Sequence, residues 1–315
     1  MDSLFDEGPE FDREGLTRRL AELARERIYI GGSSWKYAGW LGQIYSKSRY
    51  LSRGRFSKAA FEANCLAEYA SVFPAVCGDF AFYQFPSEEF WRKLFSQTPE
   101  GFQFAFKVPE QITCASFPMH ARYGLQGGLE NPTFLDPALF DDAFLRPLRP
   151  FRAKTGVLIF EFGAFGRKTF GSAAEFLDRL EPFLRAVDRD FRYAVEIRNA
   201  EFLGDEYFGL LREHNVAHVF NSWTRMPDLP SQIALPGAFT ADFTVCRALL
   251  KPGRLYEDAV KFFAPYTDVR EVCESAREGL RELVSIARAE RRTSFLFVNN
   301  RLEGNAPGTV ISIID

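Results

Sequence analysis

The octapeptide Phe191-Arg192-Tyr193-Ala194-Val195-Glu196-Ile197-Arg198 decides the reading of this chain. Phe191, Tyr193, Val195 and Ile197 alternate with Arg192, Ala194, Glu196 and Arg198, the period-2 pattern of a β-strand. The apolar set suits a face covered by helices, while the other set turns charged at its end. Seven further short apolar runs lie at 28–31, 76–83, 102–108, 157–162, 216–221, 243–247 and 295–300. Several end in residues that an apolar core rejects: Lys107, Glu161, Asn221, Arg247, and Asn299 with Asn300. Helical stretches separate the runs, so the sheet is expected to be parallel. Eight such units predict an α/β fold, a TIM-like (β/α)8 barrel, with its site at the C-terminal strand ends.

The helices read from caps and apolar spacing. Asp12 caps an extra N-terminal helix to about Arg25, with Leu16, Leu20 and Leu23 on one face. Ser57 opens a helix over 57–73, Ser87 one over 87–95, and Ser172 with Glu175 a capping box over 172–187. Helices are also expected at 205–214 and, most strongly patterned, 268–291. Long loops follow strand 1 (35–55) and strand 3 (109–150), on the expected functional face. Residues 1–10, acidic with Gly8 and Pro9, read as a disordered N-terminus, and 11–315 as a single barrel domain.

Composition bounds the function. Hydrophobic residues at 46% and charged residues at 26% are those of a soluble globular chain. The 34 phenylalanines are numerous enough to fill the space between strands and outer helices. A formal charge of −3 gives no electrostatic case for a nucleic-acid partner. Five cysteines, an odd number without a Cys-x-x-Cys pair, argue against disulfides or zinc and for a reducing cytoplasm. The first ten residues lack a signal-peptide pattern, and no apolar stretch approaches the roughly 18 residues of a membrane span.

Strand alternation sorts the side chains. In 102–107 the phenylalanines 102, 104 and 106 face the helices, leaving Lys107 inward. Glu161 shares parity with Val157 and Ile159, and Glu196 and Arg198 with Ala194. In 76–83, Cys77, Asp79, Ala81 and Tyr83 form the inward set. The expected cluster at the barrel mouth is Asp79, Tyr83, Lys107, Glu161, Glu196, Arg198, Arg247 and Asn299. Its plainest reading is mutual ion pairing of Lys107 and Arg198 with Glu161 and Glu196, since buried charges are costly unpaired. Gathered at a barrel mouth, the cluster reads better as a binding site.

At these residues the chain resembles the YecE-like family, also called domain of unknown function 72. The resemblance runs from about Ile28 to Pro307. Ile30-Gly-Gly-Ser-Ser-Trp35-Lys-Tyr37 with Trp40 and Gly42-Gln-Ile-Tyr45 is similar to the family's opening pattern. Tyr69, Phe73, Phe82-Tyr83 and Pro86 follow, then Thr98-Pro with Gly101-Phe102-Gln-Phe-Ala-Phe-Lys107 and Pro109, and Ile112-Thr113. Val195-Glu196-Ile-Arg198-Asn199, Val245-Cys-Arg247 and Phe297-Val-Asn299-Asn300 complete it. The resemblance implies a TIM-like barrel and no established activity. The chain departs from it at Cys77, Asp79 and Ala81, where the family has Glu, Asn and Thr. It departs again at Cys114, where the family has His, at Phe160-Glu161-Phe-Gly163, and at Asn221, where the family has an acid. Inward positions have thus changed polarity, which implies a divergent substrate or lost activity.

Several chemistries compete. His120, His214 and His218 form no ligand pattern, so neither a metal nor another cofactor is expected. Glu161 and Glu196 are candidates for paired acid–base hydrolysis, which needs roughly 5–9 Å between carboxyls, with Trp35, Tyr37, Trp40 and Tyr83 as stacking surfaces. Lys107 is a Schiff-base candidate if burial lowers its pKa. Less demanding is anion binding by Lys107, Arg198 and Arg247. Cys77 and Cys114 read as inert rather than nucleophilic. The leading reading is a barrel that binds a small polar, anionic ligand, with metal-independent acid–base catalysis by Glu196, Lys107 and Glu161 as its extension. Trp35, Tyr37, Asp79, Tyr83, Arg198, Arg247, Asn299 and Asn300 would line that site. The alternatives are a non-catalytic binding or scaffold barrel and a metal-dependent nucleic-acid-processing barrel.

Overall fold

Asp12 caps the first helix as its sequence position predicts: its carboxylate accepts from the Gly15 amide at 2.7 Å. The computed structural model describes residues 11–314, so the expectation for 1–10 lies outside the described residues. Helix α1 (Arg13–Arg25) buries Leu16, Leu20 and Leu23. Each of the eight apolar runs then contributes a strand. These are β1 (Ile28–Gly32), β2 (Ala75–Gly78), β3 (Gln103–Lys107), β4 (Thr155–Glu161), β5 (Tyr193–Glu196), β6 (Ala217–Ser222), β7 (Phe243–Ala248) and β8 (Thr293–Val298). All pair in parallel, each with its neighbour in sequence, and β1 also pairs with β8, closing the barrel.

The main helices are α2 (Lys58–Tyr69), α3 (Glu88–Phe95), α4 (Ala173–Ala186), α5 (Asp205–Glu213), α6 (Tyr256–Phe263), α7 (Glu274–Glu290) and α8 (Ala306–Ile314). Ser57, Ser87 and Ser172 cap α2, α3 and α4 through their hydroxyls, as expected. The strongest helix expectation needs correction, because α7 begins only at Glu274. The preceding segment is drawn against Glu303 instead. The Arg270 amide donates to the Glu303 carbonyl at 2.8 Å, and the Cys273 amide to its carboxylate at 2.7 Å.

The run 76–83 also needs correction, because the strand ends at Gly78 and Phe80–Tyr83 forms a 3-10 turn. A Cβ on Gly78 would meet the Phe80 ring at 2.6 Å, so the ring folds back over a position only glycine leaves open. Strand alternation therefore stops before Ala81 and Tyr83.

Two apolar zones result. Outside the strands, Phe104, Phe106, Phe160, Trp91, Phe140 and Phe183 pack between sheet and helices. Inside, Val157, Ile159, Val219, Val245, Phe295 and Phe297 fill the lumen with small residues such as Ala75, Ala105 and Ala194. No helix among the described residues is long and apolar enough to cross a membrane.

The barrel's shortest seams include β1–β2, paired only at Gly31–Ala75 and Gly32–Val76. Tyr69 supplements it: its buried hydroxyl accepts from the Gly32 amide at 2.7 Å and donates to the Ala75 carbonyl at 2.8 Å. Tyr69→Phe should therefore cost about 2–3 kcal/mol, because it leaves a buried donor and a buried acceptor unsatisfied. Denaturant titration measures this, and a cost under about 0.5 kcal/mol would show that the bridge is dispensable.

Candidate functional site

The strand register brings the two glutamates abreast at the barrel mouth: Glu161 of β4 is directly paired with Glu196 of β5. Alternation above Ile159 and Ala194 turns both carboxylates into the lumen, where repulsion would be severe without cations. Arg247, at the top of β7, supplies one. Its Nη1 donates to Oε2 of both glutamates, at 2.5 Å for Glu196. Arg198, just beyond β5, lies 2.5 Å from Glu196 and 3.3 Å from Glu161. Lys107, ending β3, lies 3.2 Å from Glu161 and 3.8 Å from Asp79. Arg247 Nη2 also approaches Asp79, at 3.6 Å.

The cluster thus holds three cations and three carboxylates and is formally neutral. Glu196 is fully buried, whereas Asp79 at the rim keeps 40% of its side chain exposed. Aromatic rings flank it: the Lys107 ammonium lies 3.7 Å from the Phe82 ring centre, and the Arg198 guanidinium 3.8 Å from that of Trp223.

Protonation follows from these neighbours. Burial alone disfavours ionised Glu161, but Lys107, Arg198 and Arg247 outweigh it and hold its carboxyl well below the usual carboxylate range. Burial also works against charged Lys107, yet Glu161 and Asp79 outweigh it and raise its pKa. Lys107 is therefore an ammonium, opposite to the lowered pKa that a Schiff-base lysine requires. Burial pushes the Cys77 thiol up to about 12 and that of Cys114 up to about 11, so neither is a ready nucleophile.

Beside this cluster lies a cavity of about 560 Å³, over the C-terminal ends of β8, β1 and β2. Ser33, Asp79 and Asn299 are among its lining residues. Trp35, Tyr37 and Phe80 also line it, as does Tyr256 of α6. Helix α2 contributes Glu62 and Leu66, and α3 contributes Lys93 and Leu94. Lys36 and Arg301 complete the lining. This size and mixture of aromatic walls with a few polar groups suits a small-molecule site.

A family model described as protein of unknown function DUF72 matches residues 29–315. This chain belongs to the DUF72 family. Among solved structures it is similar to a DUF72 family protein from Enterococcus faecalis V583, at 18% identity and a TM-score of 0.58, covering 91% of this chain and 94% of that one. It is equally similar in fold to a DUF72 family protein from Thermotoga maritima MSB8, at 20% identity and a TM-score of 0.58, covering 91% of this chain and 96% of the other. At these identities the likeness shows the shared barrel fold. No curated protein matches the chain.

Of the residues singled out in this DUF72 chain, Asp79, Lys107, Glu161, Glu196, Arg198 and Arg247 meet in one cluster. Asn299, Trp35 and Tyr37 line the adjoining cavity. Tyr83 does not join them: it is 55% exposed and stacks on Arg122 instead. The 3-10 turn puts Phe82 over Lys107 in its place. Asn300 is buried as a brace, its side-chain oxygen accepting from Trp40 Nε1 at 3.2 Å and from the Ala306 amide at 2.7 Å. Trp40 is accordingly packing rather than a stacking surface. His120 caps a turn on the surface, His214 bonds Arg189, and buried His218 meets Tyr207 on the outer face of β6. Among the described residues, no group of three or more His, Cys, Asp or Glu is placed to hold a metal ion.

The sequence reading missed Ser33, Lys36, Lys93, Tyr256, Arg301 and Trp223. A signal existed for Ser33, Lys36 and Arg301, which lie within a few residues of strand ends. None existed for Lys93 and Tyr256, which reach the cavity from helices.

The depressed Glu161 pKa predicts an acid limb of stability. The unfolded chain binds a proton near pH 4.3 that folded Glu161 refuses, so this stabilisation is complete above that pH and declines as pH falls. Glu161→Gln should lower neutral-pH stability and remove about 1.2 kcal/mol of that decline between pH 4 and 3. Denaturant midpoints across this range measure it. An unchanged slope would show that Glu161 does not ionise in this way.

Proposed function

We propose that this protein binds a small polar molecule carrying an anionic group in the cavity beside the barrel mouth. The observation that supports this best is Arg301. Its guanidinium rests 4.5 Å from the Tyr256 ring centre, and its Nε is buried without a hydrogen-bond partner. No carboxylate of the described residues lies within 4.0 Å of Arg301, Lys36 or Lys93. An anion would answer the positive charge by which Arg301, Lys36 and Lys93 outnumber Glu62 and Asp79 in the cavity lining. Lys107, Arg198 and Arg247 are the less suitable anion site, because each already contacts carboxylates.

Binding is favoured over acid–base catalysis. A catalytic acid needs a pKa near the working pH, whereas Glu161 is held far below it. The Arg247 guanidinium also occupies the space between the two glutamates that a hydrolysed bond would need. The non-catalytic binding barrel is thus our reading. The free cysteines support a reducing, cytoplasmic setting.

A thermal-shift screen of phosphates, carboxylates, sugars and nucleotides tests the proposal. One anionic class should raise Tm, and a ligand at about 100 times its Kd adds about 2.7 kcal/mol. Arg301→Ala should weaken that ligand about tenfold or more. Failure of every anion to shift a folded wild-type protein would sink the reading.

A further inference from the structure

The loop after β1 carries a charge that the composition of the whole chain conceals. From Arg27 to Phe61 there are seven lysines and arginines and no aspartate or glutamate, in a chain whose formal charge is −3. Five of the seven, Lys47, Arg49, Arg53, Arg55 and Lys58, fall within twelve residues, and all five are exposed. Lys47, Arg49, Arg53 and Arg55 make no ion pair and no side-chain hydrogen bond with any described residue. Lys58 lies 3.7 Å from Glu62, but both side chains stay exposed, where such a pair cancels little.

The same residues form an anchored arm. Leu51–Ser52 and Arg55–Phe56 make an antiparallel hairpin, with Leu51 opposite Phe56 and Ser52 opposite Arg55. Its two-residue turn holds Arg53 and Gly54 at positive φ, 51° and 75°. Glycine suits that conformation and arginine does not, so Arg53 is carried at the tip against its backbone preference. Every residue from Leu51 to Phe56 is exposed. The base, by contrast, is fixed. The Ser57 amide donates to the Tyr50 carbonyl at 2.8 Å, which draws Arg49 and Lys58 to the foot of the hairpin. Buried Tyr50 donates its hydroxyl to Glu68 at 2.6 Å and meets the Phe61 ring edge-on at 5.0 Å.

Directly opposed residues share one face of a ribbon. Leu51 and Phe56 are therefore neighbours, yet they remain 50% and 43% exposed. The arm thus joins uncancelled positive charge to an apolar pair left in water. An anionic bilayer answers both, with headgroups for the cations and the acyl boundary for the pair. A polynucleotide would answer the charge. It would find one exposed ring, Phe56, among residues 47–58, since Tyr50 is buried, and so little to stack its bases on.

We propose that this hairpin docks the protein on an anionic membrane surface, with Arg49, Arg53, Arg55 and Lys58 on the lipid headgroups and Leu51 and Phe56 at the acyl boundary. None of these residues lines the cavity, so the inference stands apart from the anion-binding reading.

Co-sedimentation of the full chain with phosphatidylcholine vesicles, with and without phosphatidylserine, tests it. At about 0.1 M salt the protein should pellet with the phosphatidylserine vesicles and not with the neutral ones. Salt at about 1 M should release it, because the screening length falls from about 10 Å to about 3 Å. Arg53→Gln combined with Arg55→Gln should weaken binding about tenfold or more, at about fivefold per charge. Leu51→Ser, which removes no charge, should weaken it several-fold as well. Both variants should keep the wild-type Tm, which separates lost docking from lost folding.

Failure to bind phosphatidylserine vesicles, equal binding to neutral ones, or undiminished binding by either variant would overturn the inference. Single-stranded and duplex oligonucleotides, followed by fluorescence anisotropy, probe the competing partner. Tighter binding to an oligonucleotide, lost in the double arginine variant, would overturn the membrane and assign the arm to nucleic acid.

Discussion

The Arg247 guanidinium, held between Glu161 and Glu196, is the interaction on which the top of this barrel depends. Parallel register sets the two glutamates abreast, and their repulsion in a poorly solvated lumen would otherwise force one to protonate or the strands to part. Arg247 reaches them from β7 across the barrel, so one side chain ties β7 to two strands with which it shares no ladder. Arg198 and Lys107 complete the neutralisation. Such clusters are costly to assemble and more costly to break, since removing one member leaves its partners buried and charged. A rigid, neutral floor at the barrel mouth is the result.

With that floor neutral, the uncancelled charge lies to one side. The central cations have no charge to spare, whereas the surplus sits on Arg301, Lys36 and Lys93 around the neighbouring cavity. Asp79 belongs to both regions: its Oδ1 faces the cluster, and its exposed part borders the cavity. The first loop matters for the same reason. Tyr45 donates to the Trp35 carbonyl, and Trp40 is pinned to Asn300. The long segment after β1 is thereby packed down and presents Trp35 and Tyr37 from a fixed support.

Much of this was legible in the chain. Strand existence, the inward parity of Lys107, Glu161, Glu196 and Arg198, and three serine caps follow from period-2 alternation and local hydrogen bonding. Both operate over a few residues. Legibility failed where a distant group intervened. Phe80 folding over Gly78 ended a strand early and exchanged Tyr83 for Phe82. Glu303 captured the amides before α7 and shortened a helix whose pattern promised six more residues. Asn300, polar at a strand end, became a brace because Trp40 and Ala306 approach it from elsewhere in the fold.

The sequence by itself determined the barrel, because eight alternating runs have few other ways to bury one face on helices and the other on each other. It also determined that charge gathers at the C-terminal mouth, since polar residues recur at one end of the runs. Only the tertiary structure decided which charges cancel. Pairing depends on angstrom distances between side chains from different strands, and composition sees only their sum. Arg247, Arg198 and Lys107 look the same as Arg301 in a sequence. Carboxylates abreast of the first three, and none of the described residues within ion-pair distance of the fourth, are what separate a closed ion cluster from an uncancelled charge.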